Sequence, residues 1–389
     1  MSWKERQRLI VLGQVRDGYK TLKLAAKQMK LSYRQAKRVW KCFKQGGEVA
    51  LVHRGRGRPS NRRIGARRKD KILARYRERY EGFGPTLAVE KLQAEGLGVS
   101  VETLRQWLIA EGLWERHRRR SEYRQRREPR GRFGELVQLD GSHHRWFEGR
   151  GDYACLMNMV DDATKTTLAR MEAQETSEAA MRLLWAWILR YGIPMSLYTD
   201  QKNVFVTDRE PTLEEQLGGQ QPLTAFGRAC QKLGVEIITA YSPQAKGRVE
   251  RSHGVFQDRL VKELRLQGIR SIPRANKLLE GGFLQQLNRK FAIPPRDPQD
   301  AHVPLLPGVD LRAIFCFETT RTVSNDWVVR HNNRWYQLDR EARRRLRLPA
   351  KVTVADWLDG SVHILAKRSE LPYSEITDQI LKQARRKAG

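Results

Sequence analysis

Three carboxylates in this sequence stand at positions where acids suit chemistry better than packing. Asp140 follows the apolar part of ELVQLDGS (135–142), Asp200 closes PMSLYTD (194–200), and Glu250 lies within YSPQAKGRVERSHGVFQDRL (241–260). Glu250 is set among Lys246, Arg248, Arg251 and His253, while Val249, Phe256, Leu260 and Leu264 recur at offsets of seven, four and four. That spacing predicts an amphipathic helix with one apolar stripe and a cationic flank around a lone acid. Two aspartates emerging from adjacent strand ends, with a helix carrying a glutamate over them, would repel strongly in a low-dielectric cleft. Bound cations relieve such repulsion, and hard oxygen ligands with open positions favour Mg²⁺ or Mn²⁺. Two such ions about 4 Å apart activate a water or 3′-hydroxyl and stabilise the leaving oxygen of a phosphodiester. The candidate catalytic and metal-binding residues are therefore Asp140, Asp200 and Glu250, with two Mg²⁺ ions expected and Mn²⁺ as a substitute. Lys246, Arg248, Arg251 and His253 are expected to meet DNA phosphates.

The elements that position these acids read as mixed α/β. ELVQLDGS, YACLMNMVDDATK (153–165) and KTTLARME (165–172) predict three strands, SEAAMRLLWAWILRYG (177–192) a helix, and PMSLYTD a fourth strand. PLTAFGRACQKLG (222–234) predicts another helix and VEIITA (235–240) a fifth strand leading into the Glu250 helix. Each acid also has a plainer reading. Asp140 before Gly141 suits a turn, Asp161 and Asp162 suit a hairpin turn, and Asp208, Glu210, Glu214 and Glu215 suit a solvated loop. His143 and His144, close to Asp140, read as surface polar residues or else as residues that approach DNA, and Trp185 and Trp187 sit at helical core spacing.

Before this α/β segment the chain is helical and basic. Residues 1–133 hold 36 Lys and Arg against 13 Asp and Glu, a net +23 of the total +30, and the remainder carries +7. So concentrated an excess is the footprint of a polyanion binder. Two short helices (5–16, 21–29), a break at MKLS and the basic helix SYRQAKRVWKCFKQG (32–46) follow a helix-turn-helix plan, or else an ordinary three-helix bundle. Arg34, Lys37 and Arg38 are its expected DNA contacts, beside Tyr33. RGRGRPSNRR (54–63) resembles an AT-hook through Arg56, Gly57 and Arg58, the alternative being a flexible basic linker. Helices at 66–80, 84–96 and 100–112 read as a second helix-turn-helix, with Arg105 as a DNA contact, and 115–133 as a basic connector.

Beyond residue 302 short strands prevail, with hairpin signals at Asn332-Asn333 and Asp359-Gly360. They predict a small SH3-like β-barrel. Its role is either structural or contact with DNA and other subunits through Arg330, His331, Arg334 and residues 340–348. The expected organisation is 1–50 helix-turn-helix, 51–65 AT-hook-like linker, 66–114 second helix-turn-helix, 115–133 connector, 134–302 catalytic domain, 303–371 barrel and 372–389 basic tail.

QLDGS, LYTD and YSPQAKGRVE together resemble the DDE transposase and retroviral-integrase superfamily. DGSHHRWFEGRG, VDDAT, SPQAKGRVERSHGVFQDRLVKELRL and PRDPQDAH resemble the ISNCY insertion-sequence transposases in particular. The resemblance implies an RNase H-like catalytic domain and assigns the metal triad to Asp140, Asp200 and Glu250. It also implies cleavage at the ends of a mobile element, then attack of the freed 3′-OH on target DNA without a covalent protein intermediate. There are 49 residues between Asp200 and Glu250, more than in the retroviral pattern, and 206–221 reads as the insertion. DQKNVF also departs from the basic residue and histidine expected after the second aspartate.

The implied protein is a DNA transposase that binds terminal inverted repeats and target DNA as a dimer or larger homo-oligomer. The alternatives are a non-catalytic DNA-binding regulator and an RNase H-like nuclease that cuts without joining. Cys42, Cys155, Cys230 and Cys316 stand alone, without zinc or disulfide spacing. Neither an apolar signal core after Met1 nor a stretch of 18 apolar residues is present, so no membrane association is expected. The expected location is the cytoplasm of a prokaryotic cell, at the nucleoid.

Overall fold

The computed structural model describes residues 1–53, 55–57, 63–116, 127–200, 204–205, 207, 209–211, 216, 222–239, 247–367 and 369–376. Arg58, Lys246, residues 201–203, most of the 206–221 insertion and the end of the basic tail lie outside them. The chain divides into two compact units, Met1–Arg75 and Tyr76–Gly389.

In the first unit, α1 (Trp3–Arg16), α2 (Leu22–Gln28) and α3 (Tyr33–Gly46) are joined by short turns. Hydroxyl side chains start each helix: Ser2, Thr21 and Ser32 accept the N–H groups of Glu5, Leu24 and Gln35. Leu12, Phe43 and Leu51 form the core, with Leu9, Leu22, Val39 and Trp40 against them. Packing of that face leaves Arg34, Lys37 and Arg38 exposed on the other side of α3. The division between the units falls within α4 (Ala66–Arg79).

The second unit begins with α5 (Pro85–Ala94), which has Pro85 in its first turn, and α6 (Val101–Ala110), capped by Ser100. The central sheet follows. Its strands are β1 (Val137–His144), β2 (Ala154–Asp161), β3 (Thr167–Glu172), β4 (Ser196–Thr199) and β5 (Glu236–Thr239), in the order β3-β2-β1-β4-β5. β1, β2 and β3 pair antiparallel, while β1–β4 and β4–β5 pair parallel. A helix crosses between the parallel strands each time: α7 (Ser177–Tyr191) before β4 and α8 (Ala225–Leu233) before β5. β2 is buried at all eight positions, which requires cover on both faces of the sheet.

α9 (Gly247–Leu266) covers the face that carries the even-numbered residues of β1. Gln138 Oε1 accepts the N–H of Val249 at 3.1 Å, Asn158 Nδ2 donates to Ser252 Oγ at 3.0 Å, and Gln257 Nε2 donates to Ser142 Oγ at 3.3 Å. Its buried stripe is Val249, His253, Phe256, Leu260, Val261 and Leu264. α5 lies along its outer side, where Arg259 forks onto both Glu90 oxygens at 2.8 and 2.9 Å and Lys91 pairs with Glu263. The segment holding PRDPQDAH returns beside the start of β1. Ala301 donates its N–H to the Phe133 carbonyl, and Trp187 Nε1 donates to His302 Nε2 at 3.0 Å. A Cβ at Gly134, where φ is +81°, would lie 2.3 Å from the His302 ring, so only glycine lets that ring close the core.

The C-terminal strands are β6 (Cys316–Thr322), β7 (Val328–His331), β8 (Arg334–Leu338), β9 (Lys351–Trp357), β10 (Val362–Ala366), β11 (Ser369–Glu370) and β12 (Tyr373–Glu375). Asn332 and Asn333, both at positive φ, turn the β7–β8 hairpin, and Gly360 turns β9 into β10. The expected barrel is not closed among the described residues. The strands form a four-stranded sheet, β11-β10-β9-β6, and a three-stranded one, β12-β8-β7, around a shared core that includes Val329, Tyr336, Leu338, Val354 and Ile364.

Candidate functional site

Parallel pairing of β1 with β4 ends at Gln138 and Tyr198, so Asp140 and Asp200 both lie just beyond the paired stretch, where the strands diverge. The structure brings them together, and Glu175 joins them. One carboxylate oxygen from each of Asp140, Glu175 and Asp200 lies within 4.8 Å of the others. Glu175 precedes Thr176, the N-cap of α7, and its side chain is 5% exposed. It leans over Gly141, where a Cβ would come within 2.7 Å of the carboxylate. Three close carboxylates with oxygen donors only are the donor set expected for Mg²⁺ or Mn²⁺, so the residues fit that ion class.

Glu250 is not part of this group. It is exposed in the first turn of α9, one position after the anchored Val249 and three before His253. His253 is buried, with Nδ1 4.0 Å from Asp140 Oδ2. Residues three apart are neighbours on a helix surface, so Glu250 stands beside the residue that touches Asp140.

The expected DNA contacts separate into two sets. Arg34, Lys37 and Arg38 are exposed on α3, and Arg251 is exposed on α9 with its Nε donating to the Gly247 carbonyl. The others are engaged. Arg248 pairs at 2.6 Å with Asp162, whose side chain is fully buried and also receives Arg127 at 2.6 Å and Gln138 at 3.0 Å. Burial pushes the Arg248 guanidinium below its ordinary value, against the pull of Asp162. Arg56 pairs at 2.7 Å with Glu5, and Gly57 follows it at φ +79°. The Ser2 and His53 backbone N–H groups hold the Glu5 carboxyl down at about 2. Arg105 pairs with Glu102 one turn earlier, and His331 is buried against Asp356 at 2.8 Å.

Asp161 and Asp162 serve the turn after β2. Asp161 accepts the N–H groups of Thr164 and Gly134 at 2.7 and 3.0 Å, and burial raises its carboxyl above the usual range.

A family model described as a helix-turn-helix domain matches residues 7–60. Over 376 residues the chain is 39% identical to y4bF, a Sinorhizobium fredii protein that carries a transposase name, covering 96% of this chain and 81% of that one. The chain belongs to the transposases. The transposase is also 30% identical over 325 residues to the transposase of insertion sequence IS1202 from Streptococcus pneumoniae, covering 74% of this chain and 68% of that one. Among solved structures, the catalytic core of HTLV-2 integrase in complex with magnesium aligns at 20% identity and TM-score 0.30, over 39% of the transposase and 88% of that chain. The simian T-cell lymphotropic virus intasome with a PP2A regulatory subunit aligns at 15% identity and TM-score 0.35, over 75% and 95%.

Glu175 is the residue that sequence reasoning passed over. The available signal was the capped start of α7: Thr176 accepts the N–H of Ala179, which fixes Glu175 in the connection entering the helix from β3. No helix among the described residues of the transposase is long and apolar enough to cross a membrane.

Proposed function

We propose that this transposase binds the terminal inverted repeats of an insertion sequence and catalyses metal-dependent donor cleavage and strand transfer into target DNA. The observation that carries the reading is the convergence of Asp140 and Asp200 at the divergence of β1 and β4, with α9 laid across the same edge. Asp140 and Asp200 would hold two divalent ions, and Glu250 would complete the set when DNA engages the first turn of α9. When bound, Mg²⁺, or Mn²⁺ in its place, supplies charge neutralisation at the scissile phosphate and activation of the attacking water or 3′-hydroxyl. His253 would orient the Asp140 carboxylate through their 4.0 Å approach. Arg251, with Lys246 preceding it in the chain, would receive the phosphate backbone.

In this reading residues 1–50 recognise the repeat, with α3 in the major groove and Arg34, Lys37 and Arg38 at bases or phosphates. Residues 134–302 form the catalytic domain, and α5 stays with it through the Glu90–Arg259 pair. Cutting two ends in concert calls for a dimer or larger assembly on DNA, at the nucleoid. The test is a supercoiled-plasmid assay carrying the element's ends, with Mg²⁺. A transposase gives joined products, a nuclease gives cut ends without joining, and a regulator gives neither.

A further inference from the structure

Beside the acidic cluster the sheet assembles a second donor set of different chemistry. In the β1–β2 register His143 lies opposite Cys155, which places their side chains on one face. His143 Nε2 stands 3.7 Å from Glu175 Oε2. One imidazole nitrogen, the Cys155 Sγ and one Glu175 oxygen all lie within 4.8 Å of one another. Gly141 keeps the space between them open, because a Cβ there would stand 2.7 Å from the Glu175 carboxylate and 3.0 Å from Cys155 Sγ. A cavity of about 540 Å³, lined by His143, Tyr153, Gln174, Glu175 and Val204, leads solvent to the set although Cys155 itself is buried.

Imidazole, thiolate and carboxylate together suit a borderline-soft cation of the zinc class, whereas Mg²⁺ takes oxygen alone. Bonds of about 2.0–2.3 Å put the corners of a tetrahedral site roughly 3.3–3.8 Å apart, with the fourth corner open to water. The nitrogen and oxygen corners would stand about 3.3–3.5 Å apart, so the His143–Glu175 separation of 3.7 Å needs to close by only a few tenths of an ångström.

We propose that His143, Cys155 and Glu175 form a binding site for one zinc-class divalent cation, separate in donor chemistry from the Asp140–Asp200 site and sharing Glu175 with it. Occupancy would draw Glu175 away from the two aspartates. On the reading that those aspartates hold the catalytic ions, a Zn²⁺ bound beside them at Glu175 would repel Mg²⁺ from their site and slow strand cleavage at fixed Mg²⁺.

The test is a Co²⁺ titration of the full chain without DNA, followed by displacement with Zn²⁺. One equivalent should give a thiolate-to-cobalt charge-transfer band that Zn²⁺ removes. Cys155→Ser should abolish the band, His143→Ala should weaken Co²⁺ affinity at least tenfold, and Asp200→Asn and Cys42→Ser should keep it. Absence of the band in folded wild type, or its survival in Cys155→Ser, overturns the site. His143 is exposed, so its variant reports even where Cys155→Ser fails to fold. A band with no Zn²⁺ effect on Mg²⁺-dependent joining removes the inhibitory role and leaves the site. A band in a chain that never joins DNA removes the strand-transfer reading alone.

Discussion

Neutralising Glu175 is expected to stabilise the metal-free protein. One of its oxygens lies within 4.8 Å of oxygens on both Asp140 and Asp200. At an effective dielectric of about 20, two unit charges about 4.8 Å apart repel by roughly 3.5 kcal/mol. Glu175 takes part in two such pairs. Solvent reaching Asp140, whose side chain is 16% exposed, offsets part of the sum. Glu175→Gln, which keeps shape and removes charge, should therefore gain about 1–2 kcal/mol. At about 1.5 °C per kcal/mol for a unit running from Tyr76 to Gly389, Tm should rise by roughly 1.5–3 °C. The assay is calorimetric unfolding in EDTA and in excess MgCl₂. Wild type should gain Tm on adding Mg²⁺, because the ion binds the folded state, and the variant should gain less. A variant less stable than wild type in EDTA, with an undiminished Mg²⁺ response, would refute repulsion within this cluster.

Three further outcomes follow from the contacts. Arg248→Ala removes one of two guanidinium partners of a fully buried Asp162 and should cost about 3 kcal/mol in urea unfolding, a loss that a mere phosphate contact would not show. Arg34→Ala, Lys37→Ala and Arg38→Ala together should weaken binding to terminal-repeat DNA and flatten its salt dependence, with Tm unchanged, because all three are exposed on α3. Glu90 is held down at about 2, first by its hydrogen bonds to Arg259 and then by those to Lys290, against an ordinary value of 4.5. Its folded pKa is depressed, so its contribution is complete above 4.5 and lost as pH falls toward about 2. The stability gap between wild type and Glu90→Gln should close over that window, and a gap that stays constant would contradict the pairing.

The sequence carried the aspartates because their signal is local. Each follows a short apolar run, and strand ends at a parallel crossover must emerge together. Asn332-Asn333 was legible for a similar reason: two residues tolerant of positive φ between strands leave one tight turn. Glu175 was not legible as a site residue, since the Thr176 cap marks where α7 begins but not that it begins above Gly141. Arg248 read as a phosphate ligand because a cation near Glu250 invites it, yet its partner Asp162 is 86 residues away and meets it only through the sheet. His253 was placed on the cationic flank, but helix phase puts it on the buried stripe with Val249 and Phe256. His331 likewise turns inward from β7 to Asp356 on β9 of the other sheet, a pairing that no short-range pattern encodes.

Whether Glu250 completes the catalytic set is decided by single-turnover cleavage of a terminal-repeat duplex with Mg²⁺, comparing Glu250→Gln and Glu175→Gln at matched end binding. Glu250→Gln is expected to lose cleavage and joining by at least about a thousandfold while still shifting the repeat in a gel. Wild-type cleavage by Glu250→Gln, alongside an inactive Glu175→Gln, would contradict the triad and hand its third place to Glu175.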